Sequence, residues 1–197
     1  PSTARMPAMT SDQPRSASSP RPRRPTLFGL IRSGLPEPPP PVDETLVREL
    51  GLRVQEGARQ RLGRSLALRL VDAGSCNGCE LELHALQNPF YDLERFGLRF
   101  VASPRHADVL LVTGAVTRNM REALKRTYQA IPDPKWVVAV GDCPATGGLF
   151  SKSYACVGPA SAVIPIDLTI PGCPPRPQDL LAGLLALLES IGKPGRR

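Results

Sequence analysis

The sequence predicts a three-layer α/β domain built on a parallel sheet. Three observations lead there. From residue 66 onward, strand-like apolar runs alternate with helical segments, which is the trace that successive βαβ units leave in a chain. The stretch KWVVAVGD (135–142) has a nearly continuous apolar centre, as strands covered by helices on both faces do. The loops that follow these runs are rich in glycine and proline and carry the cysteines. In such folds sites collect beyond the carboxyl ends of the strands.

Residues 1–42 read as a disordered, proline-rich tail. They hold 11 of the 23 prolines together with many Ser and Arg, a composition that buries too little apolar surface to offset the entropy of ordering. Pro38–Pro41 should be extended polyproline II. One island, PTLFGLIRSG with Leu27, Phe28, Leu30 and Ile31, either forms an amphipathic turn that docks on a partner or membrane surface or is plain linker. The twin arginines Arg23 and Arg24 lack the apolar run of an export signal, because Arg32 interrupts it. An Arg/Ser-rich transit peptide is the weaker alternative.

A helix is expected within 43–63, from Glu44 to Gly63, capped by Asp43 and carrying Val47, Leu50, Val54 and Leu62 near one stripe. The α/β domain proper then spans 64–192. LALRLVDA (66–73) reads as a strand, and CELELHAL (79–86) as a helix ended near Pro89. LRFVA (98–102) and ADVLLVTGA (107–115) read as strands. RNMREALKRTYQAI (118–131) is an amphipathic helix stopped by Pro132. After the strand at 135–142, AVIPIDLTIPG (162–172) is a short extended segment. PQDLLAGLLALLESIG (177–192) is a final helix with Pro177 at its start and Gly192 at its end.

The formal net charge is +7 and aromatic residues make up 5% of the chain. The basic residues are scattered and no nucleic-acid motif is present, so no nucleic-acid partner is expected. No apolar run approaches the ~18–20 residues that cross a bilayer; Leu180–Leu188 is far shorter. A soluble or peripheral protein is expected.

Five cysteines, an odd number, suit a disulfide framework poorly. Cys76 and Cys79 share one loop, Cys143 lies in another and Cys173 in a third, all at one sheet edge in the α/β reading. Four thiolates converging from loops can hold zinc or a 4Fe–4S cluster. A structural zinc site usually has two compact pairs, and here there is one. Pro174 follows Cys173, as proline follows a ligand in ferredoxin-like runs. A CxxC at a helix start also suits thiol–disulfide exchange, although that reading leaves Cys143 and Cys173 unexplained. Spacing alone leaves cluster, zinc and redox pair open.

The stretches GSCNGCELEL, SPRHADVLLVTGAVTRNM, GDCPATGGLF and IPGCPPRP resemble the small, cluster-bearing subunit of membrane-bound NiFe hydrogenases of the formate hydrogenlyase and hydrogenase-4 type. The same family includes the B subunit of NADH:quinone oxidoreductase (complex I). The resemblance covers residues 64–190 and implies a flavodoxin-like fold holding one 4Fe–4S cluster on Cys76, Cys79, Cys143 and Cys173. With no cysteines left for further clusters, one is expected. It implies an electron relay to or from a NiFe-type large subunit, with a ferredoxin-like iron–sulfur subunit and membrane subunits as further partners. The place implied is the cytoplasmic side of the inner membrane, bound peripherally. The complex I type has two adjacent cysteines where this chain has Cys-Asn-Gly-Cys, which points to the hydrogenase side. An equivalent subunit of a complex I-like quinone oxidoreductase is the alternative.

Cys156 falls where the family has no ligand and reads as a small buried residue. Arg105, His106 and Arg118 are candidates for hydrogen bonding to the cluster or its ligands; the alternatives are loop packing or an interface salt bridge. Glu82, as a buried carboxylate with a raised pKa, is a candidate proton relay, and otherwise a helix-surface glutamate. His84 reads as an interface residue rather than a ligand.

Overall fold

The computed structural model describes residues 43–191. The expectations for 1–42, and for Gly192 as the last helix end, lie outside the described residues.

Helix α1 (Glu44–Leu62) starts where Asp43 Oδ1 accepts the backbone N–H groups of Thr45 and Leu46 at 3.0 and 3.2 Å, satisfying donors that the first turn cannot pair internally. It ends at Gly63 in a left-handed conformation. Its buried residues are Val47, Gly51, Val54 and Ala58, with Leu50 and Leu62 half-buried. Then follow β1 (Leu66–Asp72), α2 (Gly78–Ala85), β2 (Leu98–Phe100), β3 (Val109–Thr113), β4 (Val116–Thr117), α3 (Arg118–Ala130), β5 (Trp136–Val140), α4 (Asp142–Thr146), β6 (Cys156–Gly158), β7 (Leu168–Ile170) and α5 (Pro177–Ser190).

The main sheet runs β2-β1-β3-β5-β7, every pair parallel. Numbered among themselves, these strands follow the 2-1-3-4-5 order of the flavodoxin-like fold. Alternate residues of each strand point to opposite faces. Leu66, Leu68, Val109, Leu111, Val138 and Val140 pack with α1, α2 and α5. Leu110, Val112 and Val137 pack with Leu124 of α3 and with Ala160 and Ile164. The central strands are therefore buried on both sides, which is why they read as unbroken apolar runs.

The amino ends of the strands are tied by one carboxylate. Asp108 is 4% exposed. It takes both guanidinium nitrogens of Arg64, and its Oδ2 accepts the Ala67 N–H at 2.9 Å. Removing it leaves a buried N–H unpaired, which costs about 1–3 kcal/mol. Asp108→Ala is therefore expected to lower unfolding stability by about 2–3 kcal/mol in urea denaturation; a change under ~0.5 kcal/mol would show that the contact is dispensable.

Two expectations need correction. Only Leu168–Ile170 of the 162–172 segment is strand. Ala160–Ala162 forms a 3-10 turn, and Asp167 Oδ2 accepts Val137 N–H at 2.8 Å just before the strand begins. An antiparallel pair of β4 and β6 was not expected; it sets Cys156, half-buried rather than buried, opposite Thr117.

Candidate functional site

The carboxyl ends of β1, β3, β5 and β7 open on one rim of the sheet. The loop after β1 is folded by Asp72, whose Oδ1 accepts the N–H groups of Gly74 and Ser75, each at 2.8 Å. This turn delivers Cys76, and Asn77 in a left-handed conformation starts α2 with Cys79 in its first turn. The loop after β3 presses on the first: a Cβ at Gly114 (φ +73°) would lie 2.5 Å from Gly74 C and Ser75 N. Only glycine fits so close a backbone approach.

The other two cysteine loops are tied to each other. Gly141 N–H donates to Ile170 O at 2.8 Å and Asp142 N–H to Gly172 O at 2.9 Å. Asp142 Oδ1 accepts Gly172 N–H at 2.9 Å. Cys143 follows β5 in α4, and Cys173 follows β7. A Cβ at Gly141 (φ +92°) would lie 2.7 Å from Cys79 Sγ, too close to fit. That closeness links the β5 loop to the CxxC helix.

All four thiols are free; Cys76 and Cys173 are exposed, Cys79 and Cys143 half-buried. They share one electrostatic site. Burial pushes the Cys79 thiol up to about 12, and the negative charges of Glu80, Cys143, Cys76 and Cys173 add to the effect. Burial likewise raises Cys143, with Cys173, Cys76, Asp142 and Glu80 contributing. Cys156 is not among these influences. Ionising Cys79 or Cys143 beside the other thiols and Glu80 is opposed by like-charge repulsion, which a positively charged metal group would relieve. Among the described residues, no three Cys, His, Asp or Glu side chains gather tightly enough for one ion. A single tetrahedral zinc would hold its sulfurs ~3.8 Å apart, given Zn–S of about 2.3 Å.

Glu80 is the residue the sequence reading missed. It is 6% exposed, and both carboxylate oxygens are buried without a hydrogen-bond partner. Of the two expectations for Glu82, buried carboxylate or helix-surface glutamate, full burial is not found. The inward face of α2 is set by Leu83, three residues from Glu80 and so on its side of the helix. Glu82 is only half-buried and lies near Tyr91, whose hydroxyl is pushed up by burial and then by the Glu82 charge.

Arg105 and His106 form an exposed 3-10 turn, and exposed Arg118 opens α3 with its N–H on Ala155 O at 2.9 Å. None of the three is among the main influences on Cys79 or Cys143. His84 is exposed and lines a cavity of about 420 Å³ with Arg69, Asp72, Leu83, Gln87 and Phe100. None of the four cysteines lines that cavity. Leu81, in the helix of Cys79, is 61% exposed, and Leu149, next to Gly148 at Cys143, is 92% exposed.

Residues 76–187 match the family described as NADH ubiquinone oxidoreductase, 20 Kd subunit. The chain is 48% identical over 132 residues to a probable membrane-bound hydrogenase subunit of Pyrococcus furiosus, covering 67% of this chain and 79% of that protein. It is 43% identical over 160 residues to formate hydrogenlyase subunit 7 of Escherichia coli, covering 80% of this chain and 60% of that longer protein. Among solved structures, it is similar to a chain of the membrane-bound sulfane sulfur reductase, an archaeal respiratory membrane complex. The TM-score is 0.59 at 37% identity, over 71% of this chain and 75% of that one.

Proposed function

The chain belongs to the family of the 20 kDa subunit of NADH ubiquinone oxidoreductase, a family of oxidoreductase subunits, and we propose that it is the electron-relay subunit of a membrane-associated hydrogenase complex. In this reading Cys76, Cys79, Cys143 and Cys173 hold one 4Fe–4S cluster. The observation that carries it is the convergence of four free thiols, from loops at three strand ends, into one electrostatic site.

Bound there, the cluster supplies one-electron transfer to and from a site on a partner chain. The chain's own residues hold the four sulfurs in register through the Asp72 and Asp142 turns. Gly141 keeps backbone within reach of Cys79 Sγ, and backbone approach of this kind tunes such a centre. Leu149, 92% exposed and adjacent to Gly148, which closes on Cys143 Sγ, offers apolar cover to a docked large subunit of the NiFe hydrogenase type, and desolvates the rim once it binds. A ferredoxin-like iron–sulfur subunit and membrane subunits complete the assembly. No helix of the described residues is long and apolar enough to cross a membrane; peripheral attachment on the cytoplasmic side belongs to the proposed reading.

Affinity purification of the tagged full chain from its host, followed by metal analysis, tests the assignment. Nickel in a co-purifying large subunit is the expected result. A nickel-free complex with quinone or sulfur reductase activity would shift the assignment to the second reading, an equivalent relay in such a complex. That reading draws on the family itself and on the likeness to the sulfane sulfur reductase chain.

A further inference from the structure

Along the sequence the basic residues look scattered, and the described body is close to balance. The fold gathers some of them. The buried stripe of α3 is Met120, Leu124 and Tyr128, spaced i, i+4, i+8. Arg118, Arg121 and Lys125 fall on the outer side at i, i+3, i+7 and are all exposed, forming a row about 10 Å long. Arg126 is exposed beside them and donates Nε to Glu122 at 2.8 Å. The 3-10 turn Pro104–His106 packs against α3 and adds exposed Arg105 and His106. Five permanent cations thus stand against one carboxylate, and that carboxylate is held below its usual range by Arg126, then by Lys125 and Arg121.

We propose that this outer face of α3, with Arg105, is a second docking surface of the chain, and that its occupant is an acidic face of another protein subunit. Its helix lies on the sheet face opposite α1, α2 and α5, so the surface is separate from the packing of those helices. Two observations favour protein over an anionic membrane. Among the described residues the exposed large apolar side chains lie elsewhere, none on α3, so nothing on this helix inserts among acyl chains. Glu122 holds one fixed negative charge among the cations, which a fluid lipid surface does not match but an acidic protein face with a single basic group set in register does.

The inference rests on the reading of the chain as a subunit of an assembly. Lys125 is the only lysine of α3 and reports on it. Zero-length carbodiimide coupling in the purified complex should join the Lys125 amine to an Asp or Glu of another subunit, as read by mass spectrometry. Arg121→Glu should lower that product about fivefold, as the loss of an exposed charge contact does, with unchanged circular dichroism. An intact complex in which Lys125 is acetylated as fast as in the free full chain overturns the proposal. So does protection of Lys125 only by phosphatidylglycerol vesicles, which would assign the surface to a membrane. Failure of the assembly reading looks different: no complex is recovered at all.

Discussion

Cys79→Ser in the full chain is expected to reduce the iron retained after anaerobic reconstitution from about four atoms per chain to below about one. Cys79 sits in the first turn of α2, half-buried against the main core, with the β5 loop at Gly141 directly beside its sulfur. The charges of the other three thiols all reach it. A hydroxyl in its place is a poor ligand for iron and leaves three sulfurs around a four-sulfur site. Cys156→Ser is the matched control, because Cys156 pairs with Thr117 in the small antiparallel sheet and should keep full iron content. Equal loss in both variants would mean that the four-thiol assignment is wrong.

In the metal-free chain, alkylation of Cys79 by iodoacetamide at pH 8 should be about a thousandfold slower than that of a thiol at the ordinary value of 9.0, because only the thiolate attacks. The rate should rise about tenfold per pH unit and not level off before pH about 12. Exposed Cys76 and Cys173 should be modified first, as peptide mass spectrometry would show. The sign for stability follows. The folded thiol keeps its proton up to about 12 while the unfolded one releases it near 9.0. The shift therefore costs nothing below about pH 9, and the metal-free fold loses stability as pH rises from 9 towards 12. Rapid modification of Cys79 at pH 8 would show that it is neither buried nor crowded by negative charge.

The fold was legible in the sequence where both faces of a strand are covered. Val109–Val112 and Trp136–Val140 are apolar throughout because helices lie on either side. The pair β4 and β6 was not legible, since strands of two and three residues leave no period to read. The common rim of the three cysteine-bearing loops was legible from their place after strands. Glu80 was not, because a glutamate in a first helical turn has the same local reason to be there, the helix dipole, whether it faces water or the core. The four cations of α3 stand within residues 118–126 of the sequence, but their joining with Arg105 was hidden. Arg105 and Arg118 are 13 positions apart in sequence, and only the packing of the 104–106 turn on α3 joins them.

The account stands on the four thiols holding one cluster, and the most direct measurement is made on the anaerobically purified full chain. Iron and acid-labile sulfide are expected at about four each per chain, with an electron paramagnetic resonance signal that grows on one-electron reduction. A colourless chain holding about one zinc and no sulfide would contradict it.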